Sequence, residues 1–280
     1  AGMAGYSFAQ ARSLFRFRGV SGFEVRDLVF LNFDNVSDAY TLFGVHVDIR
    51  PDMPQETNCT SFRFVDSQIY GVMNHTLGRG LAIGRPGSFP AVGSQCDTGK
   101  IRGCTFGGGS GATNRLGCPV GFWDGNNTKV FHFDHCVFSQ GQYGIDHYLA
   151  SETIRISSAM FESTWESCLY NNGNSHLEDC ESERCGAAVL GGGTAHMVNC
   201  NFHTMCSSSN NVMVSQVDWS AVGCHFDNHR VLLLVSAINT GTNVVTATHV
   251  AEHLNPPVND EQVVVASSFG IRGVPAGIIE

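Results

Sequence analysis

The sequence predicts an all-β fold: a right-handed parallel β-helix, a solenoid of about eight to nine coils with loop insertions in the N-terminal coils. Three observations carry that reading. One six-residue phrase (apolar, any, small or polar, Cys or small, any, Phe) returns at Val25–Phe30, Phe64–Ile69, Ile101–Phe106, Phe133–Phe138, Ile156–Phe161, Leu177–Ser182, Met197–Phe202, Ala221–Phe226 and Val264–Phe269. Its successive spacings of 39, 37, 32, 23, 21, 20, 24 and 43 residues have a floor near twenty, the length of chain that one coil consumes. A further short strand pattern precedes the phrase in most repeats, so each turn holds three strands.

Within the phrase, the first residue and the Cys-type residue are three apart and both are apolar or small. A strand alternates with period two, so two inward residues three apart require a bend between them. The residue before the Cys-type position is Asp27, Asp66, Gly103, His135, Ser158, Asp179, Asn199 or Gly223. Gly, Asn, Asp and His tolerate left-handed backbone, which predicts a two-residue turn there. Stacking the coils then makes Cys104, Cys136, Cys180, Cys200 and Cys224 an inward ladder of buried free thiols that fill space as small apolar groups. No CxxC pair occurs, which weakens a zinc reading. Cys185 and Cys206 occupy similar places in neighbouring coils and form a candidate pair. Phe30, Phe106, Phe138, Phe161, Phe202, Phe226 and Phe269 become an inward aromatic stack.

The strand preceding the phrase reads Gly44–Asp48, Gly80–Ile83, Gly121–Asp124, Gly144–Tyr148, Ser167–Tyr170 and Ala188–Gly191. Aligned on their leading small residues, these strands predict two outward columns. One holds His46, Ala82, Trp123, Asp146, Leu169 and Leu190; the next holds Asp48, Gly84, Gly125, Tyr148, Asn171 and Gly192. The repeats beginning at Leu28, Ser67 and Cys104 carry about ten to twenty extra residues each, including Arg50–Cys59, Arg85–Cys96 and Gly107–Cys118. Insertions on three consecutive coils of a rigid scaffold are expected to wall a binding groove.

With these repeats and the Asn-Cys-Asn-Phe run at Asn199–Phe202, the chain resembles, over roughly Val20 to Phe269, the pectate-lyase-like superfamily of single-stranded right-handed β-helices. Within it, the chain looks most like the β-helical bodies of phage tailspikes and related polysaccharide-active proteins. The likeness is specific for fold, because such folds host unrelated chemistries. It implies an extracellular or virion-surface location and a homotrimer. The repeat itself places one β-helix domain over 1–280, with coils clearest in 20–227 and an irregular last coil and C-terminal segment in 228–280. The opening Ala1-Gly2-Met3 leaves room for a native start upstream.

Net charge is −9 and only Lys100 and Lys129 are lysines, which argues against a nucleic-acid partner needing clustered cations. No run approaches the ~20 apolar residues of a membrane span. No motif asks for a cofactor or metal. A column of Arg63, Lys100, His132, Arg155, His176 and His196 reads as a solvated face with its like charges screened by salt. Val29, Val65, Val137, Met160, Val198 and Val222 face outward around the bend, and are expected to be covered by a subunit or by the segment Asn228–Asn259.

The expected partner is a polysaccharide or cell-surface glycan. An exposed Trp123 near Asp124 and Tyr148 is the composition of a sugar subsite, with His46, Asp48 and Asn171 as further contacts. Hydrolysis of a glycosidic bond needs two carboxyl groups, ~5–5.5 Å apart for retention or ~6.5–9.5 Å for inversion. Coils stack at ~4.8 Å, so Asp146 pairs with Glu162 or Glu166 on the following coil, with Asp124 a further candidate one coil back. A lyase would use His147 and Tyr148 as base. The first reading is therefore a polysaccharide hydrolase, the alternatives a non-enzymatic adhesin or structural spike and a lyase.

Overall fold

The computed structural model describes residues 12–31, 41–48, 59–71, 78–84, 96–108, 117–122, 130–147, 153–204, 212–214, 218–227, 231–233, 244–246 and 249–251. All eight expected bend residues, Asp27, Asp66, Gly103, His135, Ser158, Asp179, Asn199 and Gly223, have φ between 48° and 64°. Left-handed backbone costs a non-glycine residue roughly 1–2 kcal/mol, and the stacked coils offset that cost with a ladder of amide bonds. Asp66 N donates to Arg102 O at 2.9 Å, His135 N to Ser157 O at 3.0 Å and Asn199 N to Val222 O at 2.9 Å. The two glycines sit where the preceding coil's Asx side chain leans across. A Cβ on Gly103 would lie 2.2 Å from Asp66 Oδ1, and one on Gly223 2.6 Å from Asn199 Oδ1.

A second left-handed corner lies at Gln140, Ser163 and Arg184, each five residues beyond the first at His135, Ser158 and Asp179. Gln, Ser and Arg have no left-handed preference, so nothing in the phrase marks it.

The strand before the first corner builds a nine-stranded parallel sheet from Glu24–Arg26, Arg63–Val65, Gly99–Arg102, Val130–Asp134, Thr153–Ser157, Asn174–Glu178, Thr194–Val198, Asp218–Val222 and Val244–Thr246. A sixteen-stranded sheet supplies the other two walls, because Val137–His147 and Met160–Asn171 each run through both. Together the walls form a right-handed parallel β-helix. The N-terminal strand Arg12–Arg18 pairs in parallel with Thr41–Asp48.

The core is the stack that the phrase implies. Phe30, Ile69, Phe106, Phe138, Phe161, Ser182, Phe202 and Phe226 are in register from coil to coil. The Phe106–Phe138 and Phe138–Phe161 rings stack at 5.6 Å and 5.0 Å. Phe269 lies outside the described residues. Cys104, Cys136, Cys180, Cys200 and Cys224 are buried and free, with Ser67 and Ala159 in the same row. Leu28, at the end of that row, is exposed. Cys206 lies outside the described residues, and Cys185 is buried beside Cys168.

Burial pushes the Cys104 thiol up to about 11 and the Cys136 thiol up to about 12, so neither supplies a thiolate at neutral pH. A thiol titration of native protein at pH 8 is therefore expected to count few of the eleven cysteines, and one in guanidinium without reductant to count all of them. Equal low counts in both states would mean disulfides and a wrong stacking register.

Three expectations are corrected. The segment after Asn228 carries a further coil: Phe226 pairs with Val250 and Val222 with Thr246, so the next phrase is Val245–Val250 rather than Val264–Phe269. A valine at its Phe position hid it. The outward apolar residues form no continuous strip. Val29, Val137 and Met160 share a row with Gln68, Thr105 and Glu181, while Val65, Val198 and Val222 share one with Arg102, Asp134 and Glu178.

The third correction concerns the row beside Asp146. Inward Val45, Leu81, Val120, Ile145, Leu169 and Val189 are in register, which makes the outward row His46, Ala82, Gly121, Asp146, Tyr170 and Leu190. Gly121 stands where Trp123 was expected, and Tyr170 where Leu169 was. The leading small position is Gly44, Gly80 and Gly144 in three coils, where a Cβ on Gly80 would lie 2.7 Å from Ile69 O and Pro119 O. In the intervening coil Pro119, flanked by Cys118 opposite Arg79 and Val120 opposite Leu81, takes that place, so aligning on Gly121 slips the register by two.

Candidate functional site

The slip matters because Gly121 and Ala82 leave a shallow trough beside Asp146 on the outer face of the large sheet. Arg79, from the strand Arg79–Ile83, lays its side chain over that trough and reaches across one coil. Its Nη2 donates to Asp146 Oδ2 at 2.6 Å and its Nη1 to Gly78 O at 2.8 Å. A Cβ on Gly121 would lie 2.3 Å from Arg79 Nε, so glycine is what lets the guanidinium pass. Asp146 lies between inward-facing Ile145 and His147, yet it is only 7% exposed. Burial raises its carboxyl pKa and Arg79 pulls the other way. Asp146 Oδ1 is buried and has no hydrogen-bond partner among the described residues.

Glu166 lies on the following coil. Gln142 Nε2 donates to its Oε1 at 2.8 Å, and the Tyr143 hydroxyl donates to its Oε2 at 2.8 Å. Tyr143 stacks on Tyr170 at 4.8 Å, and Tyr170 is the register partner of Asp146. Burial first, then the Glu166 carboxylate and Asp146, hold the Tyr143 phenol far above its ordinary value, so it remains a donor. Burial pushes the Cys118 thiol up to about 12, with Arg79, Asp146 and Glu166 all felt there. Both carboxylates act on Cys118 and on Tyr143, and Glu166 stands four residues before Tyr170, the register partner of Asp146. Trp165, the residue before Glu166, is 58% exposed.

Several expected site residues lie elsewhere. Glu162 is exposed and in register with Ser139 and Glu183, eight residues before Tyr170 on the same strand, so it does not meet Asp146. His147 points inward with Val47, Ile83 and Phe122 and is fully buried. Its ring meets Phe122 edge-on at 5.7 Å, and its Nδ1 lies 2.7 Å from Asn171 Oδ1. Burial lowers the imidazole to about 4, so the expected role as a solvent-facing base is corrected. Asn171 is inward too. It donates to Gly173 O at 3.0 Å and Thr194 O at 2.9 Å, a structural bracket for the next corner.

His46 is buried with Nε2 donating to Gly84 O at 2.8 Å. Asp48 is fully buried and paired with Arg16. Neither presents a free polar face to a sugar. Trp123, Asp124 and Tyr148 lie outside the described residues. Sequence reasoning missed Arg79, Gln142, Tyr143, Trp165 and Tyr170. An alignment on the inward apolar residues would have exposed the signal, two small residues in register beside Asp146 and thus room for a long side chain.

No protein-family model matches the chain, and no curated protein does. Among solved structures, it is similar to the pectin methylesterase from Aspergillus niger in deglycosylated form, with 12% identity and a TM-score of 0.44 over 90% of this chain and 83% of that one. It is also similar to the Dettilon tailspike protein, with 8% identity and a TM-score of 0.45 over 86% of this chain and 54% of that one.

Proposed function

We propose that this protein binds and cleaves a polysaccharide or cell-surface glycan, as a glycoside hydrolase working outside the cell or at a virion surface. The observation that supports this reading is Asp146. It is a buried carboxyl group on an outward row, with one oxygen held by Arg79 and the other without a partner among the described residues; a second carboxyl group, Glu166, oriented by two donors, lies on the following coil. Two carboxyls in unlike environments are what glycosidic hydrolysis needs, since environment sets which one keeps its proton.

Asp146 is the general acid in its protonated form, which burial favours and Arg79 opposes, with Oδ1 the oxygen that carries the proton. The carboxylate paired with Arg79 is the form that protonates on acidification. Glu166, accepting from Gln142 and Tyr143, is the partner that acts as base or nucleophile. Arg79 positions Asp146, and Gln142 and Tyr143 position Glu166. Trp165 offers the aromatic face on which a pyranose stacks, with Trp123, Asp124 and Tyr148 as further sugar contacts. All of these residues belong to one chain, so the reading needs no second subunit.

Asp146→Asn and Glu166→Gln are each expected to lower reducing-end release by roughly 10²–10⁴-fold, the usual weight of a general acid or base, with glycan binding retained. Circular dichroism and thermal melting control for the fold. If the wild-type protein binds a glycan but releases no oligosaccharide from any member of a broad panel, the non-enzymatic adhesin replaces this reading.

A further inference from the structure

The outer face of the nine-stranded sheet carries a row in which arginine, lysine and histidine side chains follow one another on successive coils. Glu24, Arg63, Lys100, His132, Arg155, His176, His196 and Ser220 follow one another in parallel register. At one end Arg63 Nη1 is 3.8 Å from Glu24 Oε2, and at the other His196 Nδ1 is 2.8 Å from Ser220 Oγ. Among the described residues, Lys100, His132, Arg155 and His176 have no ion pair. The nearest acids stand on the flanking row, and Asp134 is already engaged by Arg102 at 3.5 Å, by His135 at 2.8 Å and by the Ser157 hydroxyl at 3.1 Å. Glu178 is two residues along the strand from His176.

Lys100 and Arg155, two coils apart with His132 between them, repel each other along the row, and an anion laid along it would relieve that repulsion. His132 shows the crowding: its proton affinity is lowered by burial and then by Arg155 and Lys100. Beside the row, Thr153, Arg155, Asn174, Ser175, His176 and His196 line a shallow depression of about 400 Å³, adding hydroxyl and amide groups to the cations. The row advances ~4.8 Å per coil, close to the advance of one pyranose along an extended glycan.

We propose that this face is a second glycan site, separate from the Asp146 cluster, that binds an acidic polysaccharide lying along the solenoid axis. Its anionic groups pair with Lys100, His132, Arg155 and His176, and its hydroxyls meet Thr153 and Asn174. The site does not depend on the hydrolase reading, because it occupies another wall and uses none of the same residues.

Two features follow from the chemistry. Binding weakens with salt. It also strengthens on acidification, because His132, whose proton affinity is lowered by burial and by Arg155 and Lys100, gains charge at low pH while uronate carboxylates stay ionised. The charged groups around His132 are Lys100 and Arg155 on the neighbouring coils, which oppose its protonation, and Asp134 two residues along its strand.

The test measures binding of fluorescent alginate, dextran sulfate, neutral dextran and a single-stranded DNA oligonucleotide to the full chain, at pH 5.5 and 7.5 and at low and high salt. Alginate or dextran sulfate is expected to bind more tightly at pH 5.5 than at 7.5, neutral dextran not at all. The variant Lys100→Gln with Arg155→Gln is expected to lose about tenfold or more in affinity with an unchanged melting temperature. Asp146→Asn is expected to bind like wild type, which separates failure here from failure of the hydrolase reading. Absence of binding to both acidic glycans at low salt and pH 5.5 would overturn the proposal. So would unchanged affinity in the double variant, or DNA binding as tight as that of the glycans.

Discussion

Arg79→Met is expected to destabilise the protein by about 3–5 kcal/mol, the usual consequence of stripping one partner from a buried ion pair. The guanidinium is the group that the Asp146 carboxylate meets at 2.6 Å, and both side chains are almost fully buried. Methionine keeps much of the packing over Gly121 but leaves Asp146 facing a site that already raises its pKa through burial. The loss should shrink on acidification, since a protonated Asp146 no longer needs a counter-charge. The double variant Arg79→Met with Asp146→Leu should recover most of it. Urea denaturation at pH 4.5 and 7.5 reads both effects. A loss that is the same at both pH values, and that Asp146→Leu fails to recover, would assign the cost to packing alone.

The corner that defines the coil was legible because everything that makes it is local and repeated. A small or Asx residue, a Cys-type residue and a Phe recur within six positions, and each coil repeats the same solution. The polar cluster was not legible for the opposite reason. Arg79 and Asp146 are 67 residues apart and meet only because two coils lie in a particular register. That register is set by inward Val45, Leu81, Val120 and Ile145, whereas the eye is drawn to glycines that recur in neighbouring strands. Asn171 reads as outward when its strand is aligned on Ser167, one residue out of step with Gly144, and His147, next to outward Asp146, reads as a surface base although it packs inward. Asp146 keeps its outward placement because its own strand is aligned correctly.

His147 gives the second large effect. An imidazole held neutral in the core to about pH 4 protonates near 6.5 in the unfolded chain, so the unfolded state takes up the proton first. The stability that this group confers is therefore complete above about pH 6.5, falls as the pH drops, and is gone below about 4; a displacement of that size corresponds to about 3 kcal/mol. Wild type and His147→Phe, compared by denaturant unfolding at half-unit steps from pH 7.5 to 4, should differ in slope across that interval, with wild type losing about 3 kcal/mol more. Parallel profiles would show that His147 is charged or solvated in the native state.

The corner also sets what kind of object this protein is. In every coil, two residues separate the strand of the nine-stranded sheet from the strand that follows, from Arg26 to Val29 through Val222 to His225 and on to Thr246 and His249. One edge of the prism is therefore of fixed length, and a residue added there would turn the following Phe outward. The segments that vary in length, such as 49–58, 85–95 and 148–152, all fall between other strands. The molecule can grow walls and fingers from the remaining edges, and it can gain or lose whole coils by cutting at equivalent corners, while one smooth edge runs unbroken along its length. Any surface beside that edge, the cationic row included, stays open on that side however long the loops elsewhere become.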